Sequence, residues 1–174
     1  RQHTEQLIFG DKKDTSRDLV YTDLHEMFPG YKFNKFAPNK EKSTYKGEII
    51  GEGGLVRATP GMYTEVAVLD VASMHPTSIV ELNLFGEYTD KFKELLDIRL
   101  LIKAGKLDEV AKLFDGRLAP YVSNPDEAKM LSFALKIVIN TVYGLTVASF
   151  PNRFRDENNL DNIVAKRGAL FMMD

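Results

Sequence analysis

The sequence predicts an α+β fold, an antiparallel sheet with helices packed on it, into which a second group of helices is inserted. Segments typical of strands, separated by Gly and Pro turns, come first, and helical segments follow. This order favours α+β over a fold in which strands and helices alternate. With 174 residues, 44% of them apolar, the chain suffices for one core or for two lobes that share a core.

The composition excludes several classes of site. The chain has 23 basic and 25 acidic residues, a net charge of -2, so a nucleic-acid surface would have to be local. It has no cysteine, which excludes disulfides, thiolate metal sites and a cysteine nucleophile. Its histidines, His3, His25 and His75, are too scattered to predict a zinc site.

No uninterrupted run approaches the ~20 apolar residues that span a bilayer, and no signal-peptide pattern opens the chain. We therefore expect no membrane partner and a location in the cytoplasm. The chain begins at Arg1 without a methionine and ends at Asp174 within apolar, helix-like text. Both ends are expected to be internal to a longer protein.

Residues 1–43 are predicted to form an N-terminal connecting segment. Apolar residues recur at helical spacing from Val20 to Phe28 and stop at Pro29-Gly30, which predicts one short helix.

A basic and aromatic segment spans residues 31–57. It contains six Lys or Arg and three Glu, a local charge of +3. Cations that meet phosphates and rings that stack on bases are typical of a nucleic-acid surface. A solvated loop whose aromatic side chains are anchored in the core explains the same composition. The aromatic residues between the lysines are Tyr31, Phe33, Phe36 and Tyr45.

Three strands, "YKGEII", "LVRA" and "MYTEVAVLD", are predicted after residue 43 as a β-meander with Gly-rich and Pro-Gly turns. The third is the most apolar, and its last residue is Asp70. The predicted sheet therefore carries a carboxylate at the end of its most apolar strand.

Five helices are predicted after Asp70. A short one contains Pro76 in its first turn, where the missing N–H costs little. Two more, "KFKELLDIRLLIKAG" and "LDEVAKLF", are joined at Gly105. A long helix runs from Asn124-Pro125 to Gly144, and the link "FPNRFRDENN" leads to a last helix from about Leu160.

A carboxylate at the end of an apolar strand is costly unless it is solvated, paired or bound to a metal. Asp70 is followed by the small residues Ala72 and Ser73, where a turn would leave backbone N–H groups facing an anion at a helix start. An oxygen ligand for a hard cation beside amides for phosphate suits a metal–triphosphate. A simple helix cap at Asp70 is the alternative.

In "KIVINTVYG" the residues Lys136, Asn140 and Tyr143 share one helix face. Lysine offers a charge to phosphate, asparagine hydrogen-bonds sugar or base edges, and a tyrosine ring stacks. An amphipathic helix with a solvated lysine and a C-capping Gly144 explains the same pattern.

Taken together, the two segments resemble motifs of family B DNA polymerases. "DVASMHPTSI" is similar to the first motif, Asp, two variable residues, Ser, Leu, Tyr, Pro, Ser, Ile. "KIVINTVYG" is similar to the second, Lys, three residues, Asn, Ser, one residue, Tyr, Gly. They occur in the family's order, with helices between them where the family has its fingers. "GEGGLV" resembles the Tyr-x-Gly-Gly element that contacts template DNA, and "FRDENNLDNIVAKRG" resembles the stretch after the second motif in phage-type members.

The resemblance implies a site for Mg²⁺ and a dNTP. Asp70 would bind Mg²⁺ through its carboxylate and Val71 through its carbonyl, while amides around Ser73 and Met74 would hold the triphosphate. Lys136 would contact the phosphates and protonate the leaving pyrophosphate.

Further residues carry over in the same way. Asn140 would approach the incoming nucleotide, Tyr143 would lie against the nascent base pair, and Gly144 would permit close backbone approach. Arg99 resembles the fingers arginine that binds triphosphate, and Lys103 lies one turn further on, although both also suit a solvated helix surface. Gly53 and Gly54 would contact DNA.

The resemblance divides the chain into palm, residues 44–85 and 145–174, and fingers, residues 86–144. In the complete enzyme two Mg²⁺ ions would activate the primer 3′-hydroxyl and stabilise the leaving oxygen. The third motif, a hairpin with a paired Asp, is missing, so the chain alone is expected to be inactive. Expected partners are primer-template DNA, dNTP and the remaining polymerase domains, in a bacterial or phage-infected cell, with the protein a monomer.

The sequence departs from the family at two positions that matter. His75 stands where the family has a tyrosine that excludes a 2′-hydroxyl, so relaxed ribose discrimination is expected unless the imidazole packs flat and bonds locally. The template-contacting element has no tyrosine here, and Glu52 adds a negative charge within it. A non-catalytic nucleic-acid-binding module, a palm of different chemistry and a purely structural α+β domain are the rival interpretations.

Overall fold

The computed structural model describes residues 2–11, 24–33, 43–51, 58–155 and 162–174. Of these residues, 57% are helical and 4% lie in strands, so the α+β fold is strongly weighted toward helix. The helices are α1 (Gln2–Phe9), α2 (Leu24–Met27), α3 (Met74–Glu81), α4 (Thr89–Lys103), α5 (Leu107–Ala111), α6 (Pro125–Thr146) and α7 (Ile163–Met173), with 3₁₀ turns at Gly86–Tyr88 and Ala119–Val122.

The two strands in this part of the chain form one tight hairpin. Strands β1 (Thr44–Tyr45) and β2 (Glu48–Ile49) pair antiparallel. Lys46 and Gly47 between them have φ of 49° and 80°, the left-handed conformation that a two-residue hairpin turn requires. The segment "YKGEII", predicted as one strand, is therefore a hairpin, and Lys32 extends it by one bridge to Thr44.

The predicted third strand was wrong. Residues 62–70 lie in neither a helix nor a strand, and Val68 and Leu69 are 88% and 96% exposed. Apolar β-branched residues favour extended backbone locally, but a strand also needs a hydrogen-bonded neighbour. The described residues place no strand beside this segment, and most of the predicted "LVRA" strand lies outside them.

The main core gathers aromatic side chains from distant parts of the chain. The Phe85 ring lies edge-on to the rings of Phe92 and Phe154, with centroids 5.7 and 5.4 Å apart. Phe9 of α1 joins them, 4.8 Å from Phe154. Helix α1, which the sequence analysis did not predict, is therefore part of the core.

A second, smaller cluster of buried apolar residues lies among the helices of residues 86–144. It connects α4, α5, the second 3₁₀ turn and the start of α6, which pack against one another. The inserted helices therefore have a small core of their own, formed by Ile98, Ile102, Val110, Val122 and Ala128.

Helix α6 is the longest described helix. The Asn124 side chain accepts hydrogen bonds from the N–H groups of Asp126 and Glu127, at 3.1 and 3.0 Å, and Pro125 follows it as in a conventional helix start. Gly144 lies inside α6 and does not cap it, which corrects the C-cap interpretation. By length and composition α6 could cross a membrane, a criterion that core helices of globular proteins also meet, although the sequence contains no uninterrupted apolar run of that length.

Helix α7 is tied to the hairpin and to α3. At its end, the Asp174 carboxylate accepts a hydrogen bond from the Tyr45 hydroxyl at 2.9 Å and pairs with the Lys46 ammonium at 3.0 Å. Where α7 packs against α3, a Cβ added at Gly168 would lie 2.8 Å from the Met74 sulfur. Glycine at this position therefore allows α7 to approach α3 closely.

Candidate functional site

The predicted metal ligands lie on the irregular segment before α3. Asp70 is exposed and Val71 is half-buried. Their oxygens are the donors that Mg²⁺ prefers. Within the ranges that the structure describes, no three His, Cys, Asp or Glu side chains group closely enough to hold a metal ion. The donor chemistry fits Mg²⁺, and these residues would supply two of its ligands.

Ser73 links the first motif to the inserted helices. It precedes α3 with φ 56° and ψ 51°, a left-handed conformation that costs a residue with a side chain of order 1–3 kcal/mol. Its side chain makes no helix-capping hydrogen bond. Instead, Nη1 of Arg99 on α4 donates to Ser73 Oγ at 3.3 Å. The contact brings two predicted triphosphate-binding residues together.

The start of α3 has an electropositive character. The first N–H groups of a helix have no partner within the helix and carry a partial positive charge. The guanidinium of Arg99 lies beside them through Ser73, and its buried Nε has no hydrogen-bond partner among the described residues. An anion at this helix start would therefore meet both backbone donors and a full positive charge.

The first motif also contacts the second. The His75 imidazole on α3 stacks on the Tyr143 phenol on α6, with ring centroids 4.4 Å apart and planes 18° from parallel. The ring packs flat, as in the alternative considered for this histidine. Burial lowers the pKa of His75 below its ordinary value of 6.5, so the imidazole is neutral at pH 7.

Sequence reasoning missed Asn162, which also contacts Tyr143. Its side-chain nitrogen donates to the Tyr143 hydroxyl at 3.3 Å, and its side-chain oxygen caps α7 by accepting from the N–H of Ala165 at 3.4 Å. An asparagine before an apolar helical run is a recognisable capping signal. Nothing in the sequence pattern indicated that the same side chain would reach Tyr143.

Met74 begins α3 and is half-buried where α3 meets Gly168 of α7. Its side chain is thus committed to packing, which leaves its backbone as the part available to a ligand.

Three second-motif residues lie on the exposed side of α6. Lys136, Asn140 and Gly144 are exposed, and a Cβ built on Gly144 would meet nothing within 4 Å. Glycine inside a helix costs roughly 1 kcal/mol relative to alanine. No packing within the described chain requires Gly144, so the face of α6 is open at this position.

Apolar side chains continue the exposed face toward the start of α6. Phe133, one turn before Lys136, is 63% exposed, and Met130 and Ile137 are exposed as well. Polar and apolar side chains therefore alternate along the solvent-exposed face of α6.

The remaining predicted site residues are less informative. Lys103 is exposed in the last turn of α4, one turn beyond Arg99. Gly53 and Gly54 lie outside the described residues.

In the basic and aromatic segment, Tyr31 and Tyr45 are 5% and 4% exposed, so their rings are anchored in the core and do not offer stacking surfaces. Phe33 lies under the buried Lys166 ammonium, and Phe36 is outside the described residues.

Helices α3, α4 and α6 thus meet at one place, where Ser73 contacts Arg99 and His75 contacts Tyr143. Comparison of the chain with protein-family models, with curated proteins and with solved structures gives no match.

Proposed function

We propose that this chain is the palm-and-fingers part of a phage-type family B DNA polymerase, which binds a dNTP with Mg²⁺ and adds dNMP to a primer 3′-hydroxyl. The observation that carries the proposal is the stack of His75 on Tyr143. The two residues come from different motifs on different helices, and neither motif requires the other locally. Motifs that serve one nucleotide should meet in space, as these do.

The contact between Ser73 and Arg99 supports a triphosphate site at the start of α3. Phosphate oxygens would accept hydrogen bonds from the first amides of α3 and from the guanidinium. Ser73 precedes these amides in a left-handed backbone conformation. This strain is of the kind that recurs at ligand sites.

The open space at Gly144 supports a large ligand on the face of α6. In the proposal this face approaches the nascent base pair, with Lys136 directed at phosphate and Asn140 at sugar or base. Helices α4, α5 and α6 would be the fingers, while the hairpin, α3 and α7 would belong to the palm.

The segment before α3 would complete the metal site only in the longer protein. There, a hairpin that carries the family's paired Asp could pair with residues 66–70 and bring a second carboxylate to Asp70. With a single metal-binding carboxylate, the present chain would bind a nucleotide without transferring it.

The direct test is equilibrium dialysis of a radiolabelled dNTP against this chain with Mg²⁺. We expect Arg99→Ala and Lys136→Ala each to weaken binding by about tenfold, because each removes a charged contact to phosphate. The matched control is Lys129→Ala, which removes an exposed lysine two turns earlier on α6. The proposal fails if the unmodified chain binds no dNTP, or if both site variants bind it like the control.

A second test reads the coding sequence beyond Asp174 for an Asp-x-Asp hairpin and assays the extended protein on primed DNA. Asp70→Asn should abolish incorporation and leave DNA binding intact. An extended protein that binds DNA in a salt-dependent way, but incorporates nothing with Asp70 present, would favour the non-catalytic binding module.

A further inference from the structure

We propose that Asn162 is a positioning residue of the nucleotide site, whose side-chain amide holds the Tyr143 phenol against His75 and so ties the start of α7 to the exposed face of α6. The role of Tyr143 toward a nucleotide rests on the proposed function. The holding of its ring rests only on the contacts described below.

Both the nitrogen and the oxygen of the Asn162 side-chain amide form hydrogen bonds. Its oxygen faces the N–H of Ala165, a donor, so the oxygen must be the acceptor there. That assignment leaves the nitrogen as the donor to the Tyr143 hydroxyl at 3.3 Å. The capping bond therefore fixes the orientation of the group that contacts the tyrosine.

The two hydrogen bonds and the left-handed backbone together explain why residue 162 is an asparagine. Asn162 has φ 51° and ψ 54°, a left-handed conformation in which asparagine is enriched among residues with side chains. A serine can cap a helix, but its side chain is too short to reach the hydroxyl as well. A glutamine is a poorer cap, so of these three residues asparagine suits cap, reach and backbone.

Tyr143 is consequently fixed at two points by two other helices. Its ring lies on His75 of α3, and its hydroxyl lies at the start of α7. Helix α7 in turn contacts α3 closely at Gly168 and Met74. A side chain of α6 is thus set by a unit made of α3 and α7, which is how a ring is preorganised for a ligand.

The test measures the histidine ring protons by NMR in the full chain, at a pH where all imidazoles are neutral. The Tyr143 ring current displaces the His75 signals from those of the exposed His3, which serves as internal reference. We expect Asn162→Ser to return the His75 signals toward the His3 positions. In the Tyr143→Phe background, where the hydroxyl is absent, Asn162→Ser should cause no additional change.

Ala169→Gly is the control for a merely loosened α7, since it weakens the helix without touching Tyr143. Unchanged His75 signals in Asn162→Ser overturn the proposal. So do an equal displacement in Ala169→Gly and additive effects of Asn162→Ser and Tyr143→Phe.

The effect of Asn162 on nucleotide binding is measured separately. The dissociation constant for dNTP with Mg²⁺ should rise about fivefold in Asn162→Ser, the equivalent of one neutral hydrogen bond. Altered His75 signals with unchanged dNTP affinity would overturn the link to the nucleotide. If the unmodified chain binds no dNTP, the proposed function fails, and the NMR result alone decides whether Asn162 holds the ring.

Discussion

The imidazole of His75 and the phenol of Tyr143 lie face to face, with 4.4 Å between their centroids. This stack joins the start of α3 to the last turns of α6. Stacked rings of this kind contribute about 0.5–1.5 kcal/mol beyond the apolar area that they bury. The two helices are therefore coupled at the point where the two sequence motifs meet.

Acidification should weaken the fold through His75. Because burial lowers the folded-state pKa of this histidine, the unfolded chain binds its proton first as the pH falls. The stabilisation is complete above about pH 6.5 and is lost as the pH falls through the lower folded-state pKa. Urea unfolding between about pH 5 and pH 8 measures this slope.

His75→Phe is the informative variant for this slope, since it keeps an aromatic ring for Tyr143 but cannot titrate. We expect its free energy of unfolding to lose that part of the pH dependence, while His3→Gln, at an exposed position, retains it. An unchanged slope in His75→Phe would assign the pH dependence to other groups.

The identity of residue 75 should control the choice of sugar in the extended polymerase that we propose. An imidazole is smaller than the phenol that the family places there, and it packs flat on Tyr143. Because the flat-packed ring is the arrangement in which discrimination is retained, we expect the protein with His75 to prefer dNTP and His75→Ala, which removes the ring, to lower that preference by about tenfold or more. Single-nucleotide incorporation with paired dNTP and rNTP measures this ratio. Equal use of rNTP and dNTP by the protein with His75 would refute the prediction.

A methyl group at Gly168 should separate α7 from α3. The added Cβ would lie 2.8 Å from the sulfur and 3.0 Å from Cγ of Met74. Overpacking of this kind costs about 1–3 kcal/mol, and the better helix propensity of alanine returns about 1 kcal/mol. Gly168→Ala should therefore lower the free energy of unfolding by roughly 1 kcal/mol.

The effect of Gly168→Ala on the free energy of unfolding should change sign when the Met74 side chain is shortened. In a Met74→Ala background, Gly168→Ala should raise the free energy of unfolding, because only the gain in helix propensity remains. Chemical denaturation of the unmodified chain, the two single variants and the double variant gives the coupling free energy between residues 74 and 168. Additive effects would show that Met74 does not limit the approach of the helices.

Limited proteolysis should distinguish two exposed apolar regions. Residues 62–69 are exposed and lie in no helix or strand, so thermolysin should cleave there before it cleaves α6, although Phe133 and Ile137 are also exposed. The peptide groups of α6 are held in helical hydrogen bonds, so cleavage requires local opening. Mass spectrometry of the first fragments identifies the site. Early cleavage within α6 would contradict the described helix.

The helices were predictable because their signals are local. The start of α6 follows from Asn124 and Pro125, and that of α3 from the turn before Pro76, each within a few residues of sequence. The end of α6 was misplaced at Gly144, since a glycine in a helix is indistinguishable by pattern from one that caps it.

The contacts of the candidate site were only partly predictable. The pairing of Ser73 with Arg99 and of His75 with Tyr143 depends on how three helices pack, although the family resemblance had singled out all four residues. The exposed segment before Asp70 shows the opposite case. Its pattern predicted a strand that the described residues do not form, because a strand requires a hydrogen-bonded neighbour that a local pattern does not reveal.

That exposed segment also has a consequence for handling the protein. Val66, Ala67, Val68 and Leu69 form a short apolar run of the kind that stacks into intermolecular sheets. Glu65 and Asp70 flank the run with negative charges, which act as gatekeepers against self-association. We therefore expect the carboxylate proposed to bind Mg²⁺ also to oppose self-association, so Asp70→Asn preparations should aggregate at a lower concentration than the unmodified chain.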